Sequence, residues 1–390
     1  MFPKIDDKKP GQDEKHATLQ PYCLTKSNMR KPNIIPGLAV LLITTGIVFS
    51  AYKSKEINSE GLKDYYQKYF PIGVAVTPWD LSGDKRNLIL SQFNSITSEN
   101  AMKMGPIHPM ENTYNWKIAD SIASFARING LKLRGHCLVW HNQAPRWFFK
   151  AEDGNMISKE TLLKRIQEHI NTVVNRYKKD IYAWDVVNEV IADDSAYFRK
   201  SPLYQIAGED FVEMSFRYAH QADPNAQLFY NDYNTEQPLK REKIYRMLKG
   251  LLARGVPIHG IGLQGHWSVN NPSRSELEKS IALFSSLGLK IQITELDVSV
   301  YGGNQGGQLI QGNAQTAVSE FTPEMEEKQL KQYKMVFEVL RKYKDHITGV
   351  TFWNLSDRYS WLDNRGRKNY PLLFDKDLKP KKAYFEVTKF

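Results

Sequence analysis

Eight short apolar runs punctuate the chain between residues 72 and 353, and stretches with helical spacing separate them. They are Ile72–Val76, Phe93–Thr97, Lys132–Val139, Tyr182–Val187, Ala226–Tyr230, Gly260–Gln264, Lys290–Thr294 and Gly349–Trp353. Runs of this length, alternating with helix-length segments, read as strands joined by helical connections. Eight repeats of that alternation predict an α/β fold, a closed (β/α)8 TIM barrel rather than an open sheet. A hydrophobic content of 41% is enough to fill such a core. No second linker, internal repeat or low-complexity tail interrupts the pattern, so residues 60–390 are expected to form a single domain.

Two of the intervening helices can be read in detail. Thr322 can cap a helix that has Pro323 at its first position and Glu324, Glu326 and Glu327 against the positive end of its dipole. Leu330, Tyr333, Phe337 and Leu340 then recur at helical spacing, as do Ile166, Ile170, Val173, Val174 and Tyr177 in the segment 162–177. Such stripes are expected to face the barrel as core, not to form sites.

In a barrel of this kind the reacting groups project from the C-terminal ends of the strands. Those ends carry Glu99-Asn100, Trp140-His141, Asn188-Glu189, Asn231-Asp232, Gln264 with His266, Glu295 with Asp297, and Trp353-Asn354. Carboxylates, amides, imidazoles and indoles are thus expected at one rim. A Glu at a strand tip beside an apolar mouth can keep its proton through desolvation. Two such carboxylates facing each other are what glycosidic hydrolysis needs: one protonates the departing oxygen and the other attacks the anomeric carbon. Either Glu alone could be an ordinary solvated residue opening a loop; the pair is the informative feature. His136 and His141 flank Cys137, but their spacing fits no common zinc pattern, so neither a metal nor a cofactor is expected.

The segments that carry these groups closely resemble glycoside hydrolase family 10, the endo-β-1,4-xylanases. They are Phe93-Asn-Ser-Ile-Thr-Ser-Glu-Asn100, Gly135-His-Cys-Leu-Val-Trp-His141, Trp184-Asp-Val-Val-Asn-Glu189, Tyr230-Asn-Asp-Tyr-Asn234, Gly262-Leu-Gln-Gly-His266, Ile291-Gln-Ile-Thr-Glu295-Leu-Asp297 and Phe352-Trp-Asn-Leu-Ser-Asp357 through Trp361. They run in the family's order over roughly residues 60–390. The resemblance implies a (β/α)8 barrel that hydrolyses internal bonds of xylan with retention. It implies Glu189 as acid/base and Glu295 as nucleophile, with His266 and Asp297 orienting the nucleophile and Asn188 bonding the 2-hydroxyl of the sugar under attack. It further implies Glu99, Asn100, Lys103, His136, Trp140, Gln264, Trp353 and Trp361 at the non-reducing-side sugar subsites, and Tyr233 as a stacking platform on the leaving-group side. Cys137 departs from the Thr of many relatives, and its small side chain is expected to point into the barrel wall.

Before the barrel, residues 1–50 read as a leader and 51–59 as a short polar linker. Residues 37–49 are an uncharged apolar run of 13 preceded by Lys26, Arg30 and Lys31, the secretory pattern, and too short for an ordinary membrane span. Met29 is expected to be the true start, with cleavage after Ser50 and a secreted or periplasmic product. A retained signal anchor that tethers the domain to the membrane is the alternative. Of the two cysteines, Cys23 falls in this leader, which leaves the catalytic domain without an internal disulfide. Residues 1–50 carry seven Lys/Arg and four Asp/Glu of a chain with net charge +10, so the remainder holds +7, spread without a basic cluster. That excludes a nucleic-acid partner. The expected partner is xylan or a xylo-oligosaccharide, met by a monomer with no membrane contact after leader cleavage. The Gly-, Gln- and Asn-rich segment 301–321 is expected as a loop on the catalytic face.

Overall fold

A computed structural model describes residues 60–302, 320–363 and 367–390. The leader, the linker and most of the 301–321 segment lie outside the described residues. Among the described residues nine strand segments fill eight barrel positions: β1 (Ile72–Val76), β2 (Ser95–Ser98), β3 (Lys132–Trp140), β4 (Ile181–Asn188), β5 (Gln227–Asp232), β6 (Gly260–Leu263), β7 (His266–Ser268), β8 (Lys290–Ser299) and β9 (Ile347–Phe352). Every pairing is parallel. Neighbours run β6-β5-β4-β3-β2-β1-β9-β8, and a β6–β8 pairing closes the ring. The expected (β/α)8 barrel is the observed fold.

The ninth segment is a break in the sixth barrel strand. Gly265 has φ +80, a region closed to most side chains, and the chain kinks there before β7 resumes beside β8 with His266 opposite Asp297. That register is what brings His266 and Asp297 together.

Strand ends depart from the sequence reading in two instructive places. β8 continues through Ser299, so Glu295 and Asp297 lie inside the strand. With a period of two they share its inward face, while Leu296 and Val298 are buried on the other. Phe93 belongs to the end of the helix Gly83–Gln92, where its N–H bonds the Ile89 carbonyl at 2.9 Å. Its ring packs edge-on to Phe352 and Phe374.

The helices behave largely as their patterns require. Thr322 accepts the Met325 N–H at 3.2 Å and Pro323 opens the helix Pro323–Lys342. Tyr333, Phe337 and Leu340 are buried, but in the second turn Gln329, not Leu330, takes the buried position, donating to the Val298 carbonyl at 2.9 Å. Ser158 caps Lys159–Tyr177, whose Ile166, Ile170, Val173, Val174 and Tyr177 are all buried. Each aliphatic side chain buried in this way contributes roughly 1.5–3 kcal/mol. Among the described residues no helix is long and apolar enough to cross a membrane.

Candidate active site

β4 ends at Asn188, and Glu189 follows with φ +58, which turns its side chain over the barrel mouth. Its carboxyl is held by three donors: Asn188 Nδ2 at 3.1 Å and Gln264 Nε2 at 2.9 Å on Oε1, and Trp140 Nε1 at 2.9 Å on Oε2. Burial raises its pKa, and the negative charges of Asp232 and Glu295 add to the effect against the two neutral donors Gln264 and Trp140.

Glu295 projects inward from β8 and is treated oppositely. Asn231 Nδ2 donates to its Oε1 at 2.8 Å, and His266 Nε2 lies 3.2 Å from its Oε2. His136 Nδ1 stands 3.9 Å away. Burial alone would raise this carboxyl, but the charges of His136 and His266 and the His266 hydrogen bond hold it below the usual range. His266 in turn sits 2.9 Å from Asp297. Against its own burial, the two carboxylates push His266 up to about 10, so it is a cation at neutral pH. Trp361 Nε1 donates to the same Asp297 oxygen at 2.8 Å and gives that carboxylate a second partner.

Amides join the two carboxyl groups. Asn231 Nδ2 also donates to Asn188 Oδ1 at 2.9 Å, and Asn188 donates to Glu189. Thr294 Oγ1 donates to Asn231 Oδ1 at 2.6 Å, which sets the direction of that amide. Gly262 leaves the room: a Cβ there would lie 2.2 Å from Asn231 Oδ1. Beneath them Asp185 takes a bidentate contact from Arg134 at 2.7 and 3.1 Å and holds His136 Nδ1 at 3.0 Å.

On the β1–β2–β9 side, Asn354 Nδ2 donates to Glu99 Oε2 at 2.9 Å, while Asn100 and the Tyr359 hydroxyl reach Oε1 at 3.2 and 3.1 Å. Lys103 is bonded to Asn100 Oδ1 at 2.9 Å, with its ammonium 5.0 Å from the Trp140 ring centroid and 5.7 Å from that of Trp353. Trp353 is buried edge-on to His136, and Trp361 is half-buried against His266. Of the fourteen residues named from the sequence, thirteen thus converge on one mouth.

Tyr233 does not present a free face. It is only 2% exposed, the Lys240 ammonium covers its ring at 3.5 Å from the centroid, and its hydroxyl bonds Asp193. A sugar cannot stack on that ring as it is placed. Cys137 is buried in the barrel wall, and burial raises its thiol well above the ordinary range. Among the described residues no group of three or more His, Cys, Asp or Glu is placed to hold a metal. Asn231, Asp185, Arg134 and Tyr359 enter the site without having been singled out. Asn231 was visible as a strand-end amide, whereas the other three touch the site only through partners distant in sequence.

A parallel barrel whose mouth holds two buried carboxyl groups, one biased to keep its proton and one to lose it, among indoles and amides, defines a glycoside hydrolase. The chain belongs to glycosyl hydrolase family 10, whose family model matches residues 61–390. It is 45% identical over 357 residues to a beta-1,4-xylanase of Dictyoglomus thermophilum, covering 90% of this chain and 97% of that one. It is 47% identical over 340 residues to endo-1,4-beta-xylanase A of Caldicellulosiruptor saccharolyticus, covering 86% and 97%. The fold matches xylanase XynB of Paenibacillus barcinonensis, solved with a conduramine derivative, with a TM-score of 0.80 at 44% identity over 86% of this chain and 99% of that one. A solved relative in complex with xylotriose matches with the same TM-score and identity, over 85% and 99%.

Proposed function

We propose that the chain is a retaining endo-β-1,4-xylanase in which Glu189 is the acid/base and Glu295 the nucleophile. The opposite electrostatic treatment of these two buried carboxyls carries the assignment. Glu295, ionised, attacks the anomeric carbon of the bound xylosyl unit while Glu189 gives its proton to the departing glycosidic oxygen. Glu189, now a carboxylate, takes a proton from water, whose oxygen displaces Glu295 and restores both groups. His266 and Asn231 hold the nucleophile's two oxygens, and Asn188 is assigned to the 2-hydroxyl in this reading. Glu99, Asn100, Lys103, His136, Trp140, Gln264, Trp353 and Trp361 line the subsites on the non-reducing side.

Substrate choice is read from the walls around C5 of the bound sugar. Xylose lacks the hydroxymethyl of glucose, and in this reading Gln264, Trp353 and Trp361 close the subsite against such a group. Pocket crowding of that size discriminates by roughly 1–3 kcal/mol per subsite. Kinetics on xylo- and cello-oligosaccharides of equal length are expected to differ by roughly 10–200-fold in kcat/KM. Comparable values would reject xylan as the substrate.

Polymeric xylan cannot enter a cell intact, which supports export of the catalytic domain and the reading of residues 1–50 as a cleaved leader. A single chain supplies every group named in the mechanism, which supports action as a monomer. Enzyme recovered from medium or periplasm is expected to begin near Ala51 on N-terminal sequencing. An intact chain beginning at Met1 in the membrane fraction would establish the signal anchor instead.

A further inference from the structure

Glu189 adopts φ +58, a left-handed conformation that is unfavourable for a residue with a Cβ. It persists only if its surroundings over-determine it. The Glu189 N–H bonds the Asn231 carbonyl at 2.9 Å. The next peptide unit is gripped at both ends: Arg199 Nε donates to the Glu189 carbonyl at 3.2 Å, and the Val190 N–H donates to the Tyr230 hydroxyl at 3.3 Å.

These two grips are parts of one circuit. Arg199 Nη2 bonds Asp193 Oδ2 at 3.0 Å, and Lys240 Nζ joins Asp193 Oδ1 at 2.9 Å to Asp232 Oδ1 at 2.8 Å. The other oxygen of Asp232 accepts the Tyr230 hydroxyl proton, which returns the path to the same peptide. Two cations balance two anions. The circuit draws on the loop after β4, on β5 and on the helix Pro238–Ala253, three pieces of the barrel that a bare loop would not couple. Tyr233 completes it, its hydroxyl shared between Asp193 and Arg199, which is why that ring is covered. The Lys240–Asp232 pair is buried while Arg199 and Asp193 are partly exposed, and neither kind of pair adds much net stability; what they supply here is orientation.

We propose that Arg199, Asp193, Lys240, Asp232 and Tyr230 form a closed clamp that positions the acid/base carboxyl by fixing the Glu189–Val190 peptide. The proposal rests on the reading of Glu189 as acid/base. The five are positioning residues, acting through Glu189 and touching no reacting atom. A rotation of this peptide swings the carboxyl, and a misplacement of about 1 Å can cost about 100-fold in rate.

The clamp predicts a leaving-group signature. Arg199→Gln and Tyr230→Phe are compared with Glu189→Ala through kcat/KM on aryl β-xylobiosides, one with a dinitrophenol and one with a phenol leaving group. Both clamp variants are expected to lose roughly 10–100-fold on the phenyl substrate and less than about threefold on the dinitrophenyl one, which needs no proton. A general loss of folded enzyme would lower both substrates alike. Equal losses on the two substrates, or no loss on either, in whichever clamp variant folds would overturn the clamp while Glu189→Ala still shows the signature. Absence of the signature in Glu189→Ala itself would overturn the acid/base reading and the clamp with it.

Discussion

Glu189→Ala is expected to lose roughly 10²–10⁴-fold in kcat/KM on xylan while hydrolysing dinitrophenyl β-xylobioside with nearly parental kcat/KM. The difference lies in the proton. A sugar alkoxide is a poor leaving group and must be protonated as the bond breaks, whereas dinitrophenolate leaves unaided. The second step should slow for both substrates, because Glu189 also takes the proton from water. Glycosyl-enzyme then accumulates, so KM for the activated substrate falls with kcat. Added azide needs no general base, and it should restore kcat and give a β-glycosyl azide. The pH profile changes in a stated direction. The parent loses activity as Glu189 deprotonates, and burial together with Asp232 and Glu295 places that basic limb above an ordinary carboxyl. The limb should disappear in the variant, while the acidic limb, set by Glu295 below the usual range, remains. An unchanged basic limb would assign the acid/base role elsewhere.

What the sequence made legible was whatever depends on local pattern. Strand-length runs, helix stripes and the cap at Thr322 are local, and so is the polarity that appears when an apolar run gives way to Asn188-Glu189. The barrel then brings such ends to one rim, which is how Glu189 and Glu295 come to share a mouth, whereas Lys103, His136 and Trp361 follow only from the family resemblance. A polar residue after an apolar run nevertheless does not always end a strand, and β8 shows why at a barrel mouth. There an inward carboxylate such as Glu295 or Asp297 finds its partners across the barrel and the strand continues beneath it.

Long-range pairing was not legible. Nothing within the segment Tyr230–Asn234 tells that Asn231 points inward to Glu295 while Asp232, one residue on, points outward to Lys240. Tyr233 is a platform only by the family resemblance, which carries no information on what covers the ring in this chain. Its covering comes from Lys240 on a following helix and Asp193 on the loop after β4, neither of which its own neighbours reveal. The same blindness hid Asp185, whose partners Arg134 and His136 lie about fifty positions earlier on the adjacent strand.

Glu295→Ala is expected to have the largest effect of any single substitution, on the order of 10⁵-fold or more in kcat, as when other covalent enzymes lose their nucleophile. No activated leaving group can compensate, since the missing event is the attack on carbon and not the protonation of oxygen. The space left behind is suited to a small anion. His266 keeps its Asp297 partner, which still favours the protonated ring once Glu295 is gone, and the Asn231 amide remains aimed at the vacated position by Thr294. Azide bound there approaches the anomeric carbon from the face that Glu295 used. With dinitrophenyl β-xylobioside it should therefore give the α-glycosyl azide, the opposite anomer to that formed by Glu189→Ala. Proton NMR of the two azide products separates the roles of the two carboxyls in one comparison. The same anomer from both variants would show that they do not act on opposite faces of the sugar, and double displacement at this site would have to be abandoned.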